Sequence, residues 1–139
     1  MPAIQKSIRI QEKTFKEIER MAKESGKEFS SICNELLDES VRMHRCPGIV
    51  FTEGAAGRRA RIAGTGIEVW ELIAVYRSVA EDSKRLHQVY HWLTEQQIGA
   101  ALCYFKAFPE EINRLIKQNE ELTRERVQEK YPFLPTGDR

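Results

Sequence analysis

No stretch of this chain approaches the roughly 20 consecutive apolar residues that a membrane-spanning helix needs, and its start, Met1-Pro2-Ala3-Ile4-Gln5-Lys6, lacks the apolar core of a secretory signal. The expected location is the cytoplasm, with no membrane partner. Excess charge is missing too: 22 Lys and Arg against 21 Asp and Glu leave a formal net charge of +1. Any binding to nucleic acid must therefore come from where basic residues sit and not from a bulk positive field. Cysteine is scarce, and its three copies, Cys33, Cys46 and Cys103, are odd in number and share no C-x-x-C spacing. That fits a reducing compartment better than a disulfide framework, with all three as core or near-core thiols.

The residues that catalysis needs are equally thin. His87 and His91 have the i, i+4 spacing of a metal pair on a helix face, but no Cys or carboxylate nearby supplies an obvious third ligand. No metal and no cofactor are expected. His44 beside Cys46 resembles a thiol–imidazole couple, yet the two bracket a helix end and fall into a linker. The glycines carry no G-x-x-x-x-G-K pattern, so turn geometry accounts for them better than a nucleotide loop. Carboxylates such as Glu110, Glu111, Glu120 and Glu121 alternate with Lys and Arg, the pattern of a solvated helix face. The chain does not read as an enzyme.

What is present divides at Cys46-Pro47-Gly48, where a helical pattern stops and a Gly- and Arg-rich stretch begins. Before it, Ile4, Ile8 and Ile10 alternate with Gln5, Ser7 and Arg9, which predicts a strand with one apolar and one polar face. Phe15, Ile18, Met21 and Ala22 then recur at helical spacing from Glu12 to a Ser25-Gly26 stop. A second helix is predicted from about Phe29 to His44, burying Phe29, Ile32, Cys33, Leu36, Leu37, Ser40 and Met43. A lone strand cannot satisfy its own ladder, and so short a segment makes a marginal core, so a second copy is expected. Pairing the strands antiparallel would make a homodimer whose ribbon presents Gln5, Ser7 and Arg9 to base edges in the DNA major groove.

These residues, from about Ile4 to Arg45, resemble the ribbon-helix-helix repressors and antitoxins of the Arc, MetJ and CopG kind. The resemblance implies a phosphate clamp at the start of the second helix, made here by Lys27, Ser30 and Ser31. Lys6 departs from the pattern, standing on the inward parity where an apolar residue is usual.

Behind the boundary, Ile49-Val50-Phe51-Thr52 and a second apolar piece flank a glycine-rich loop, which predicts a hairpin carrying Arg58, Arg59 and Arg61, possible contacts for an anion or a partner. Helices are predicted at about Ile67–Val79, Ser83–Tyr90, Thr94–Lys106 and Glu110–Glu129. Thr94 and Gln97 form a capping box, and Pro109 takes a first-turn position. Arg61-Ile62-Ala63-Gly64-Thr65-Gly66-Ile67, Val69, Tyr90, Leu93-Thr94, Gln97-Ile98, Ala100-Ala101-Leu102, Tyr104 and Pro109-Glu110-Glu111-Ile112 resemble the family known as domain of unknown function 433. Gly66 and His91 stand where that family has arginine and proline.

The resemblance implies a small winged-helix-like module found beside nuclease-like, often PIN-related, toxins. On the last helix Leu122, Val127 and Tyr131, with Phe133 and Leu134 beyond it, form an apolar stripe suited to a groove on such a toxin. The expected fold class is mainly α with a short β-ribbon. Residues 1–46 would form the ribbon-helix-helix, 47–117 the helical domain, and 118–139 the helix end and tail. The two resemblances together imply a VapB-like type II antitoxin that represses its own operon and binds a toxin; a regulator without a toxin partner is the alternative.

Overall fold

The structure, a computed structural model, describes residues 3–54 and 57–132. The chain forms two compact units, Met1–Arg42 and Met43–Arg139. Within the described residues it is mainly helical, with six helices and one two-stranded antiparallel sheet.

The first unit is built on helices α1 (Glu12–Ser25) and α2 (Phe29–Arg45). Helix α1 stops where a residue without a Cβ lets the chain turn left-handed: Gly26 has φ 69°. Its N–H donates to the Lys23 carbonyl and that of Lys27 to the Ala22 carbonyl at 3.1 Å, the paired closure that satisfies the last helical acceptors. Ile18, Ala22 and Ile32 are buried, with Met21, Phe29 and Cys33 packed around them, and the rings of Phe15 and Phe29 lie 5.1 Å apart. Ion pairs of Lys16 with Glu12 and of Arg20 with Glu17 and Glu24 lie on the solvated side of α1, where they add little stability.

Two expectations are not met within the single chain. Residues 3–10 form no strand, because the chain supplies no neighbour to complete a ladder. The stripe along α2 also ends early: Leu36, Leu37 and Ser40 are exposed, Leu37 by 55%, and Val41 beside them is exposed by 65%. Helical periodicity shows that a face is apolar without showing that the same chain covers it.

The second unit opens with β1 (Ile49–Gly54) and β2 (Gly57–Ile62), paired from Ile49 opposite Ile62 to Gly54 opposite Gly57. Alternation puts Ile49, Ala60 and Ile62 on the buried face. Helices α3 (Val69–Ser78), α4 (Ser83–Val89), α5 (Glu95–Ala107) and α6 (Pro109–Lys130) follow. Asp82 caps α4 by accepting from the Lys84 N–H at 2.9 Å. The capping box at α5 is complete, with Thr94 Oγ1 accepting from the Gln97 N–H at 3.1 Å and Gln97 Oε1 from the Thr94 N–H at 2.9 Å. Pro109 starts α6, where its missing N–H costs nothing.

One core joins the hairpin to α3, α4, α5 and α6 through Ile62, Val69, Leu72, Ile73, Leu86, Ile98, Tyr104 and Ile112, all essentially inaccessible. Only the first turns of α6 reach it: Ile112, Leu115 and Ile116 are buried, whereas every residue from Lys117 to Val127 is exposed. The helix runs unbroken through residue 117.

Gly48 makes the corner into β1 with φ 97°, and a Cβ there would meet the Ala100 Cβ at 3.1 Å. Between α3 and α4 the reverse holds, since Ala80 and Glu81 carry left-handed φ values of 55° and 57° with no glycine to relieve them. Left-handed geometry costs a residue with a side chain about 1–2 kcal/mol. Gly48→Ala is therefore expected to lose about 1–3 kcal/mol through strain and overpacking, and Ala80→Gly to gain about 0.5–1 kcal/mol after its extra unfolded-state entropy. Urea unfolding midpoints check both, and matching midpoints for Ala80→Gly and wild type would contradict the strain assigned to that turn.

Candidate functional site

The polar residues expected to read DNA lie on an unpaired segment. Gln5, Ser7 and Arg9 are all exposed, as is Lys6, while Ile4 and Ile8 are exposed by 90% and 67%. Ile10 is half-buried. Behind them, Ile8, Ile10, Ile18, Cys33, Leu36 and Leu37 line an open groove of about 430 Å³, rimmed by Arg9, Gln11, Thr14 and Ser40. Both the segment and α2 thus present apolar side chains to solvent next to one another, the arrangement of a surface prepared for burial.

At the start of α2, Ser30 and Ser31 are exposed and the first turn carries no acidic residue, which leaves the helix dipole open to an anion. Lys27 is engaged with a carboxylate: its Nζ lies 2.7 Å from Glu35 Oε1, eight residues on in α2. Both partners are partly exposed, so the ion pair is weak enough to exchange for a phosphate.

Two of the three arginines of β2 find carboxylates within the second unit. Arg59 lies opposite Thr52 and 3.7 Å from Glu68, while Arg58 lies 3.9 Å from Glu53 and donates to the Phe51 carbonyl at 3.2 Å. Arg61 stands opposite Val50 and its backbone pairs antiparallel with that of Glu68 across the next turn, while its Nε is buried without a hydrogen-bond partner among the described residues. That turn is held by Thr65, whose hydroxyl donates to the Ile62 carbonyl at 2.9 Å and accepts from the Ile67 N–H at 3.0 Å, with Gly64 at φ 77°.

Arg58 and Arg59 also border a shallow cleft of about 190 Å³ with Phe51, Leu115, Gln118 and a third guanidinium, Arg114 of α6. Arg114 lies far along the chain, and no local spacing connects it to the hairpin. The cleft can hold a small anion, although Glu111 on its wall opposes one.

The two histidines do not share a helix face. Helix α4 ends at Val89, so His91 leaves the face that His87 occupies. His87 Nδ1 lies 2.7 Å from the Ser83 carbonyl, and the His91 ring stands edge-on to Trp92 at 5.2 Å. Among the described residues no group of three or more His, Cys, Asp or Glu is placed to hold a metal. The thiols depart from expectation as well: Cys46 is buried and Cys33 half-buried, but Cys103 is exposed, and the Cys46 and Cys103 sulfurs lie 3.1 Å apart. His44, next but one to Cys46 in sequence, is exposed on α2.

On α6, Leu122, Val127 and Tyr131 are exposed. Lys130 lies over the Tyr131 ring at 5.5 Å. Phe133 and Leu134 fall outside the described residues.

Comparison with protein-family models, with curated proteins and with solved structures finds no match to this chain.

Beside Arg61 and Glu68, burial raises the Glu71 carboxyl above its ordinary value of 4.5 and repulsion from Glu68 adds to it, against a backbone hydrogen bond from Glu68 and attraction to Arg61. A raised carboxylate pKa means that the folded chain binds more protons than the unfolded one. Its stability contribution is therefore best below 4.5 and declines as pH rises to the folded value. Glu71→Gln is expected to remove this decline, so its urea midpoint should gain on wild type as pH rises from about 4 to 7. Parallel pH profiles for the two proteins would exclude Glu71 as the source.

Proposed function

We propose that this chain is the antitoxin of a type II toxin–antitoxin pair. Its first unit, a ribbon-helix-helix, binds operator DNA as a homodimer, and its winged-helix-like second unit with the α6 stripe binds and neutralises a nuclease-like, PIN-related toxin. The observation that carries the DNA half of this reading is the unfinished state of the first unit. Ile4 and Ile8 stand exposed on a segment with no ladder partner, beside an α2 face that leaves Leu36, Leu37 and Val41 in solvent. A second copy answers both deficits with one contact, since antiparallel pairing supplies the missing hydrogen bonds and turns the isoleucines onto the α2 faces. Gln5, Ser7 and Arg9 then share the outer face of a ribbon of groove width. Lys27 exchanges Glu35 for a backbone phosphate, with Ser30 and Ser31 beside it.

The partner half rests on α6, whose exposed Leu122, Val127 and Tyr131 have the spacing of helix-in-groove anchors.

Binding to the DNA immediately upstream of the chain's own reading frame tests the first half. Arg9→Ala is expected to lose about 1–3 kcal/mol of affinity and to relax base preference, whereas Lys27→Ala should weaken all sequences alike and reduce the salt slope by about one. Equal binding by wild type and Arg9→Ala would sink the ribbon. Co-expression with the adjacent reading frame tests the second half, comparing the full chain with one ending at Asn119. Growth rescue and co-purification by the full chain alone support an antitoxin whose inhibitory element is the end of α6. A neighbour that is neither toxic nor bound leaves a DNA-binding regulator without a toxin.

A further inference from the structure

The contact between Cys46 and Cys103 belongs to none of the surfaces above. Cys46 sits in the turn between α2 and β1, buried, and its carbonyl accepts from the Ile49 N–H at 3.2 Å. Cys103 lies within α5 and is exposed. Their sulfurs approach to 3.1 Å across 57 positions of sequence, about 1 Å more than a disulfide bond length, and the Cys103 thiol also points toward the Arg45 carbonyl at 3.9 Å. Two thiols brought together by separate elements, one open to solvent and one sealed behind it, form a site with an entrance and a resolving partner.

We propose that Cys46 and Cys103 are a reversible dithiol–disulfide pair oxidised by a hydroperoxide. The exposed Cys103 sulfur, as thiolate, attacks the outer peroxide oxygen. The O–O bond breaks, Cys103 becomes a sulfenic acid, and the leaving hydroxide or alkoxide takes up the proton that the thiol gave away. Cys46 then attacks the Cys103 sulfur, the S–O bond breaks, and the departing hydroxide takes the Cys46 proton to leave as water. Two thiols lose two electrons in all and the peroxide is reduced by two, giving one disulfide, one water and one further water or alcohol. Burial, and then the hydrogen bond with Cys103, push the Cys46 thiol up to about 11, which keeps it protonated and inert until a sulfenic acid forms against it. Cys33 is half-buried in the first unit and has no thiol neighbour among the described residues, so it takes no part.

The disulfide would pin the Cys46-Pro47-Gly48 turn to the middle of α5 and close a long loop, so the oxidised chain should melt several degrees higher than the reduced one.

The test uses the full chain carrying Cys33→Ala, treated with a small excess of hydrogen peroxide. The expected product loses the mass of two hydrogens, yields on digestion a single linked peptide joining Cys46 to Cys103, and returns to its starting mass with dithiothreitol. Cys103→Ser, a change at an exposed position, should abolish the loss and leave Cys46 unmodified. The proposal is overturned if Cys103 instead gains two or three oxygens while Cys46 still alkylates after unfolding. A cross-link between chains, or the same loss of mass in Cys103→Ser, overturns it equally. Because the linked peptide is read on a chain with both thiols intact, the result stands even if substituting the buried Cys46 prevents folding.

Discussion

The second unit is organised around Tyr104. Its ring is fully buried, 6.2 Å from Phe51 of β1 and 4.8 Å from Phe108, and its hydroxyl donates to the Glu111 carboxylate in the first turn of α6. One side chain of α5 thereby meets the hairpin, the residue before α6 and α6 itself. A buried phenol requires a partner for its O–H, and an acceptor is in place only if α6 starts where Pro109 starts it. Placement of the hairpin, the sharp step from α5 to α6, and the docking of Ile112, Leu115 and Ile116 all follow from satisfying that one ring. The Arg45 guanidinium, 5.8 Å from the far ring Phe108, extends the same aromatic group to the end of α2.

The two units differ in how far their own chain completes them. In the second, fifteen buried residues form one cluster fed by the hairpin and four helices. In the first, three buried residues carry two helices, and burial of that extent offsets little of the conformational entropy of ordering about 40 residues. Surface pairs such as Arg20 with Glu17 and Glu24 do not close the difference. What the first unit lacks is apolar contact, and it holds that contact in reserve at Ile4, Ile8, Leu37 and Val41.

Much of this architecture was legible in the residues because its punctuation is local. Gly26 ends α1, Thr94 and Gln97 open α5, and Pro109 opens α6, each through hydrogen bonds or dihedral limits that act within a few positions. The hairpin was readable from Ile49-Val50-Phe51-Thr52 and the glycines beyond. Contacts that depend on chain path were not readable. Nothing near Cys46 announces Cys103, nothing near Arg58 announces Arg114, and Glu68 is recognisable as the counterion of Arg59 only once the turn at Gly64 has folded back. The same limit applies to α2, whose apolar stripe the described chain covers at Phe29, Ile32 and Cys33 but not at Leu36 and Leu37. It also applies to His87 and His91, whose spacing would align them on a continuous helix but not across the end of α4.

From Lys117 to Val127 every residue of α6 is exposed, so the helix persists there mainly through the helix–coil equilibrium of its own sequence. An isolated helix of about 12–15 residues is marginal in water. The outer turns should therefore fade gradually on warming while the anchored first turns hold until the core gives way in one step. A single chain then has two thermal characters along one continuous helix, and a melting curve followed by helicity would begin to slope well before one followed by the environment of Tyr104.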